Sequence, residues 1–570
     1  MKTFQIQKFG WINQADNPND LDSFEATDLR NVRLTRESIS VRKWTELIWE
    51  ISDNWGLLWL WRVEKILETQ NKLFVFQNWE LKRFNEDLNT WETTGLSGLN
   101  SSAKPKIIQF DSIWSSPIAS WTITDVWSLN ITLFDENWDY AENQFFGKLI
   151  KIWDKIRKIS GNTEKEIIVA DAFLESPKWE EYFIYEPVDS SFIFSGTNQV
   201  KKTYDISSVN EENKWFWVLW VPFFKYAIEY QNRLVWALEW SSTIYISTIL
   251  NWECFPYTLE VGKWDWDIIT GLVKFGNQLV IFKKFSIWIA EFINPTDAIL
   301  VQRADNFWCI ENESIAIWEN ILFFVSHRWI EWFNHLETNA LEWHKCLSDF
   351  RLPWLANLDQ KNAQISSYCF DGKYFCNIVS DSDLTYIFDI SLYLQRSWEY
   401  SKNRNYVFLI DDGYEAISWT SFNGKLYSSW DGKVLLHWVD SKNSDWIIDW
   451  ISRDGENLVN AFWHSKKINL KAPLRKKILR NIICNASNLE KISWEISWWN
   501  NFLNISVKTE SEEKFLENKM FKSFSGKIRE TVEIKGKRTK WRNFIIKINF
   551  YGFKNAFLEN IECVFEVWKI

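Results

Sequence analysis

A short hairpin unit recurs down this chain, and a repeat of that kind constrains the fold more than any other feature. Its first copy, Asn71–Phe84 (NKLFVFQNWELKRF), sets Leu73 and Val75 in alternation with Lys72, Phe74 and Phe76, then alternates again over Leu81–Phe84 after Asn78-Trp79. Period-2 patterning on either side of a two-residue break reads as a β-hairpin. Further copies start at Asn232, Asn277, Asn320, Asp371 and Asn423, separated by 45, 43, 51 and 52 residues. That spacing is the spacing of propeller blades, about four strands to a blade. The chain is therefore expected to be all-β, a β-propeller of about six blades.

The turn chemistry of these units is unusual. Two-residue hairpin loops favour residues that tolerate φ > 0, Asn-Gly above all. Here Asn78-Trp79, Asn54-Trp55, Asn137-Trp138, Asn251-Trp252, Asp265-Trp266, Asp445-Trp446 and Asp449-Trp450 put Trp where Gly is wanted. Composition points the same way: 41 Trp stand against only 18 Gly, and together they match the Gly share of a turn-rich β protein. We read many of these Trp as Gly in the protein as its own organism makes it, from UGA codons decoded there as Gly and written here as Trp. Sugar-stacking Trp is the rival reading, and it places Trp on alternating strand faces rather than after Asn and Asp.

Residues 1–50 are expected to form an N-terminal arm with a first strand at 39–42, and 51–94 the first blade. Residues 95–215 are read as a linker and an inserted β domain at about 107–190, because they break the repeat and open on GLSGLNSSAKPK. Residues 216–460 carry the remaining blades. From about 461 the periodicity changes, and strand-like runs over 492–496, 502–507, 528–534, 544–550 and 561–567 predict a C-terminal β-sandwich at 461–570.

The seven Cys (254, 309, 346, 369, 376, 484, 563) are scattered and never spaced as CxxC, so neither a disulfide framework nor a thiolate metal site is indicated. The start, MKTFQIQKFG, lacks a signal peptide's apolar core, and runs such as Phe216–Phe224 are far short of a membrane span. A soluble product of a reducing cytoplasm is expected. The net charge of −10 argues against general nucleic-acid binding, and suits a surface past which DNA slides without sticking.

Catalytic equipment is not evident. His327, His335, His344, His437 and His464 sit apart, with no HExxH, and no Ser lies in a nucleophile elbow. His335, His344 and Cys346 match no common metal spacing, so no metal and no cofactor are assigned. Asp265 with Asp267, and Asp411 with Asp412, are the acid pairs a glycosidase would need, and Asp265/Asp267 also forms a DxD of calcium type. Both pairs fall in turn-like stretches where Asp serves local hydrogen bonding. The run Lys466–Arg480, free of Asp and Glu, is read as a charged strand edge or solvated face.

Three stretches carry a resemblance. Gly10, Asn13, Pro18, Leu21, Glu25, Ala26, Leu29, Asn31, Val32, Arg42 and, if Gly, Trp44 resemble the N-terminal signature of tailed-phage structural proteins. Gly147, Ile150, Ile159, Asn162, Thr163, Ile168, Val169, Pro177, Trp179, Tyr182 and Ile184 resemble a small β unit inserted in phage tail and head-associated proteins, with Trp179 at a Gly position. The most specific match covers residues 228–290, where Asn232, Arg233, Leu234, Ile244, Ser247, Asp267, Ile268, Leu272, Leu279, Phe282 and Lys283 resemble the central blades of phage propeller proteins. The resemblance implies a virion structural protein, a tail nozzle or hub component in a homo-oligomeric ring around the DNA exit path, with no enzymatic activity. Its implied partners are adjoining tail, portal or adaptor proteins and DNA in transit, and its implied locations are the virion tail and, during assembly, the host cytoplasm. The alternatives are a catalytic or carbohydrate-binding propeller, such as a tail-associated depolymerase, and an intracellular propeller scaffold.

Overall fold

The computed structural model describes residues 2–6, 26–34, 39–41, 45–50, most of 63–194, 200–203, 216–217, most of 225–334, 344–346, most of 364–437, and strand segments between 453 and 567. The chain is all-β and of the β-propeller class: among the described residues it builds six four-stranded antiparallel blades, a seventh whose sheet has six strands and ends on Arg453–Asp454 and Asn457–Leu458, and a three-residue 3-10 turn, Asn312–Ser314. Blade one spans 63–93, blade three 226–260, blade four 269–305, blade five 316–346 and blade six 364–411. Blade seven takes three strands from 418–437, and its fourth is the N-terminal strand Thr45–Glu50, with Leu435 opposite Leu47 and Val434 opposite Trp49. Blade two is assembled from Lys106–Ser112, Val188–Phe194, Val200–Thr203 and Phe216–Trp217. An independent seven-stranded sheet, 119–185, sits between its first and second strands, which is why the sequence repeat shows six units and not seven.

The first hairpin forms in the register its alternation requires, with Phe74 opposite Arg83, Phe76 opposite Leu81 and Gln77 opposite Glu80. Its Asn78-Trp79 turn lies outside the described residues, as do Trp55, Trp138, Trp252, Trp266, Trp446 and Trp450. The Asn or Asp that starts four of the six units takes a left-handed backbone, whereas at Asn277 and Asn320 the preceding Gly276 and Glu319 take it. Asn71, Asn232, Asp371 and Asn423 have φ of 53°, 56°, 48° and 49°, in the turn between a blade's first and second strands. Short polar side chains tolerate this left-handed backbone better than others do.

Several central blade strands are buried on both faces, although Thr243–Ile246 alternates. Arg233–Ala237, Ile321–Val325 and Thr385–Asp389 are buried throughout. A blade strand has neighbouring blades on both sides, so both faces are apolar, as in a covered parallel sheet.

Contact density divides the chain into two compact units, Thr69–Asn312 and Met1–Glu68 with Glu313–Ile570. Within the first, blades three and four share one core: Tyr230, Val235 and Ile244 pack with Leu272, Ile281 and Phe292. The first strands of blades two, three and four adjoin in turn. The inserted sheet rolls around its own core of Ile123, Phe145, Ile150, Ile159, Phe173, Tyr182 and Ile184. A register shift between Ile159 and Gly161 bends its longest strand. Leu149 and Ile156, on the other face, pack on Ile249 and Leu250 at the edge of blade three.

Within the second unit, the first strands of blades five, six and seven adjoin in turn. Ser418 Oγ donates to the Ile66 carbonyl at 3.3 Å, bringing blade seven against the first strand of blade one. Of the strands expected at 461–570, those at 502–507, 530–534, 545–550 and 561–567 lie in two sheets, the N-terminal segment joins both, and the strand expected at 492–496 lies outside the described residues. Lys2–Ile6 pairs with Phe557–Val567, Ala26–Arg30 with Asn460–Ser465, and Ile39–Val41 with Phe557–Val567. Residues of the N-terminal arm are thus strands of the C-terminal module. The strand Lys477–Ser487 pairs with Phe557–Val567 on one side and with Glu530–Lys535 and Lys540–Trp541 on the other. Its basic start is therefore interior to a sheet, and the strand-edge reading is corrected for 477–480. Residues 466–476 lie outside the described residues.

Candidate functional site

The acid pairs weighed as catalytic candidates are the natural place to look for chemistry. Asp411 ends the outermost strand of blade six with its side chain 1% exposed. Arg33 grips it with both guanidinium nitrogens, at 2.7 and 2.6 Å, the bidentate geometry of a strong charge-assisted pair. Asp412 accepts from Asn31 Nδ2 and from Arg30 Nη1, and its own N–H donates to Asn31 Oδ1 at 2.9 Å. Asn31 is 1% exposed with φ of 55°, and its N–H donates to the Ile410 carbonyl at 2.8 Å. Buried Ala26, Leu29 and Val32 flank it. The two carboxylates thus fasten residues 30–33 to the rim of blade six.

Asp267 is likewise committed. Buried at 3% exposure, it accepts from the Phe285 N–H at 2.9 Å and from Ser286 Oγ at 2.7 Å, capping the turn between blade four's second and third strands. Lys283, fully buried, donates to the Val261 carbonyl at 2.7 Å, tying blade four to the end of blade three. Asp265 lies outside the described residues.

A further polar junction ties the first strand of blade one and the first two strands of blade six to Glu313 and Ser314, just before blade five. Lys65 Nζ donates to both oxygens of Glu313, at 3.0 and 3.2 Å. Ser367 Oγ donates to the Glu313 carbonyl at 3.1 Å, and Tyr374 OH to the Ser314 carbonyl at 3.0 Å. Sequence reading missed Lys65, Glu313 and Arg33, whose partners are far away along the chain.

Among the described residues no group of three His, Cys, Asp or Glu is placed to hold a metal. His437 is buried beside Ser428 Oγ at 2.7 Å and tilted against Trp419. His327 and His335 lie outside the described residues, and of His344, His464 and Cys346 only the strand is described. Cys309 and Cys376 are buried free thiols, and desolvation pushes the Cys376 thiol up to about 12. Burial also raises the Cys369 thiol. Among the described residues no helix is long and apolar enough to cross a membrane.

Among the described residues, six of the eleven exposed large apolar side chains belong to the inserted sheet. Ile118, Trp127, Phe146, Trp153, Ile168 and Trp179 are all exposed there, Phe146 at 67%. The loop presenting Phe146 is rigidly held. Asn162, 2% exposed, accepts from the Phe145 N–H at 2.8 Å and donates to the Ala141 and Thr163 carbonyls at 2.9 and 3.2 Å. Gly147 follows with φ of 80°, its N–H donating to the Ile159 carbonyl at 2.9 Å. On the same sheet Lys178, followed by the Val126 N–H and Trp127 Nε1, holds the exposed Asp125 carboxyl below its usual range.

No family model matches this chain, and no curated protein matches it. Among solved structures it is similar to BamB from Moraxella catarrhalis, at 9% identity over 70% of this chain and 99% of that one, with a TM-score of 0.33. It is also similar to the Pan2 WD40 domain of Neurospora crassa, at 7% identity over 71% of this chain and 98% of that one, with a TM-score of 0.35.

Proposed function

We propose that this chain is a structural protein of a tailed-phage virion: a wall element of a ring-forming tail nozzle or hub around the DNA exit path, without enzymatic activity. One observation carries the reading. Several of the positions that resemble phage proteins help to hold this fold: Ala26, Leu29, Asn31 and Val32 at the blade-six clamp, Gly147, Asn162 and Tyr182 in the inserted sheet, and Asp267 and Lys283 in blade four. Asn232, Thr163, Ile168 and Trp179 are exposed, and Gly10, Asn13, Pro18, Leu21, Glu25, Arg42 and Trp44 lie outside the described residues.

On this reading the propeller supplies a stiff wall, and the inserted sheet and terminal module hold neighbouring copies and adjoining tail, portal or adaptor proteins. The chain's net charge of −10 lets DNA pass without adhering. Against the depolymerase alternative, Asp267, Asp411 and Asp412 spend their oxygens on backbone, Arg, Asn and Ser partners, while Asp265 lies outside the described residues. Sedimentation of the full chain, made with Gly at the turn positions, tests the proposal. A closed homo-oligomer of fixed stoichiometry is expected. A monomer at every concentration, or release of glycan fragments that stops on Asp267→Asn, overturns it.

A further inference from the structure

Two turns of the inserted sheet bear on which amino acid the living protein carries there. In the first, Ile152 pairs with Lys155, leaving a two-residue loop whose first member, Trp153, has φ of 57°. Both primed hairpin turns place φ > 0 at that position, and Gly, Asn or Asp normally fills it. In the second, the Glu180 N–H donates to the Pro177 carbonyl at 3.1 Å across a four-residue turn, and Trp179 in third place has φ of 68°. That is the place where a type II turn asks for Gly. Trp179 also donates its N–H to the Ile123 carbonyl at 2.7 Å, so the backbone is held in this conformation from both sides.

The left-handed conformation is selective among the aromatic residues. The chain has 42 Phe and 17 Tyr, yet the described aromatic residues with φ > 0 are Trp153 and Trp179 alone. Both side chains are exposed, at 39% and 68%, and each lies near a lysine ammonium, Lys155 at 5.2 Å and Lys178 at 5.7 Å. Neither ring joins the core of the inserted sheet. Trp127 differs. It lies in a strand, stacks on Phe134 with ring centroids 5.5 Å apart, and donates Nε1 to Asp125.

We infer that residues 153 and 179 are glycine in the protein as its own organism makes it, each encoded by a codon that organism reads as Gly. The consequence is functional. Trp127, Trp153 and Trp179 are the exposed tryptophans among the described side chains, and glycine at two of these positions leaves Trp127 as the one of the three that could stack on a sugar. The exposed apolar surface of the inserted sheet then reduces to Ile118, Trp127, Phe146 and Ile168, with Phe146 on its clamped loop the most exposed of them.

Tandem mass spectrometry of the protein isolated from its native source reads the peptides spanning Ile152–Lys155 and Pro177–Glu181. Glycine at both positions is expected, and tryptophan at either overturns the inference. This outcome is independent of whether the protein belongs to a virion. The full chain produced with Trp supplies a second readout. Trp153→Gly and Trp179→Gly are expected to raise the thermal unfolding midpoint or, where the parent aggregates, the soluble yield, and Trp127→Gly to lower it. A fall for Trp153→Gly and Trp179→Gly as large as that for Trp127→Gly contradicts the inference.

Discussion

Replacing Arg33 by alanine isolates the clamp between the N-terminal segment and blade six. The Asp411 side chain is 1% exposed and that of Arg33 17%, so water cannot take over the carboxylate's solvation when the guanidinium is gone. Arg33→Ala deletes two bonds of 2.6 and 2.7 Å and strands a buried charge. Breaking such a pair from one side costs about 3–5 kcal/mol, against roughly 0–1 kcal/mol for an exposed pair. The double change Arg33→Met with Asp411→Leu removes both charges, and is expected to cost far less than the sum of its parts. Urea unfolding of the full chain gives the free energy, and amide exchange at Asn31 and Asp412 locates the loss, since both N–H groups sit in the clamp. An Arg33→Ala change within about 0.5 kcal/mol of the parent, with both amides still protected, refutes the clamp.

Three further outcomes follow from the structure. Asn162→Ala removes the acceptor of the buried Phe145 N–H and is expected to cost about 1–3 kcal/mol, with faster exchange confined to residues 141–147; unchanged protection there contradicts the loop's assignment. With its thiol pushed up to about 12, Cys376 holds roughly one part in ten thousand as thiolate at pH 8, so it is expected to resist alkylation until the chain unfolds, and rapid native labelling counts against the blade-six core. Glu92 accepts hydrogen bonds from Asn85 and Arg83, which hold its carboxyl below the usual range. Its contribution to stability is present above the unfolded carboxylate pKa and is lost as pH falls through the lowered folded value. Carboxyl NMR is expected to show that low titration point move upward in Arg83→Ala.

The repeat was legible because the first turn of several blades holds a left-handed residue that Asn or Asp marks, as at Asn71, Asn232, Asp371 and Asn423, although Glu319 takes that conformation before blade five's second strand. Blade two was not legible, because 119–185 separates its first strand from the other three. Nor was the closing strand of blade seven, since Thr45–Glu50 pairs with Lys433–His437 from the opposite end of the chain. The same division runs through the polar residues. Turn chemistry accounts for Asp267, whose partners Phe285 and Ser286 lie within the same blade. Asp411 answers to Arg33, 378 residues away, and no local pattern announces such a pair. The double burial of the central blade strands hid which face meets which neighbour, because alternation carries that information only where one face is wet.

Antibody-labelled electron microscopy of purified virus particles tests the virion assignment most directly. A tail nozzle or hub protein gives label at the tail in fixed symmetry on every particle. Unlabelled particles from cells whose cytoplasm is labelled contradict it, and leave an intracellular propeller scaffold in its place.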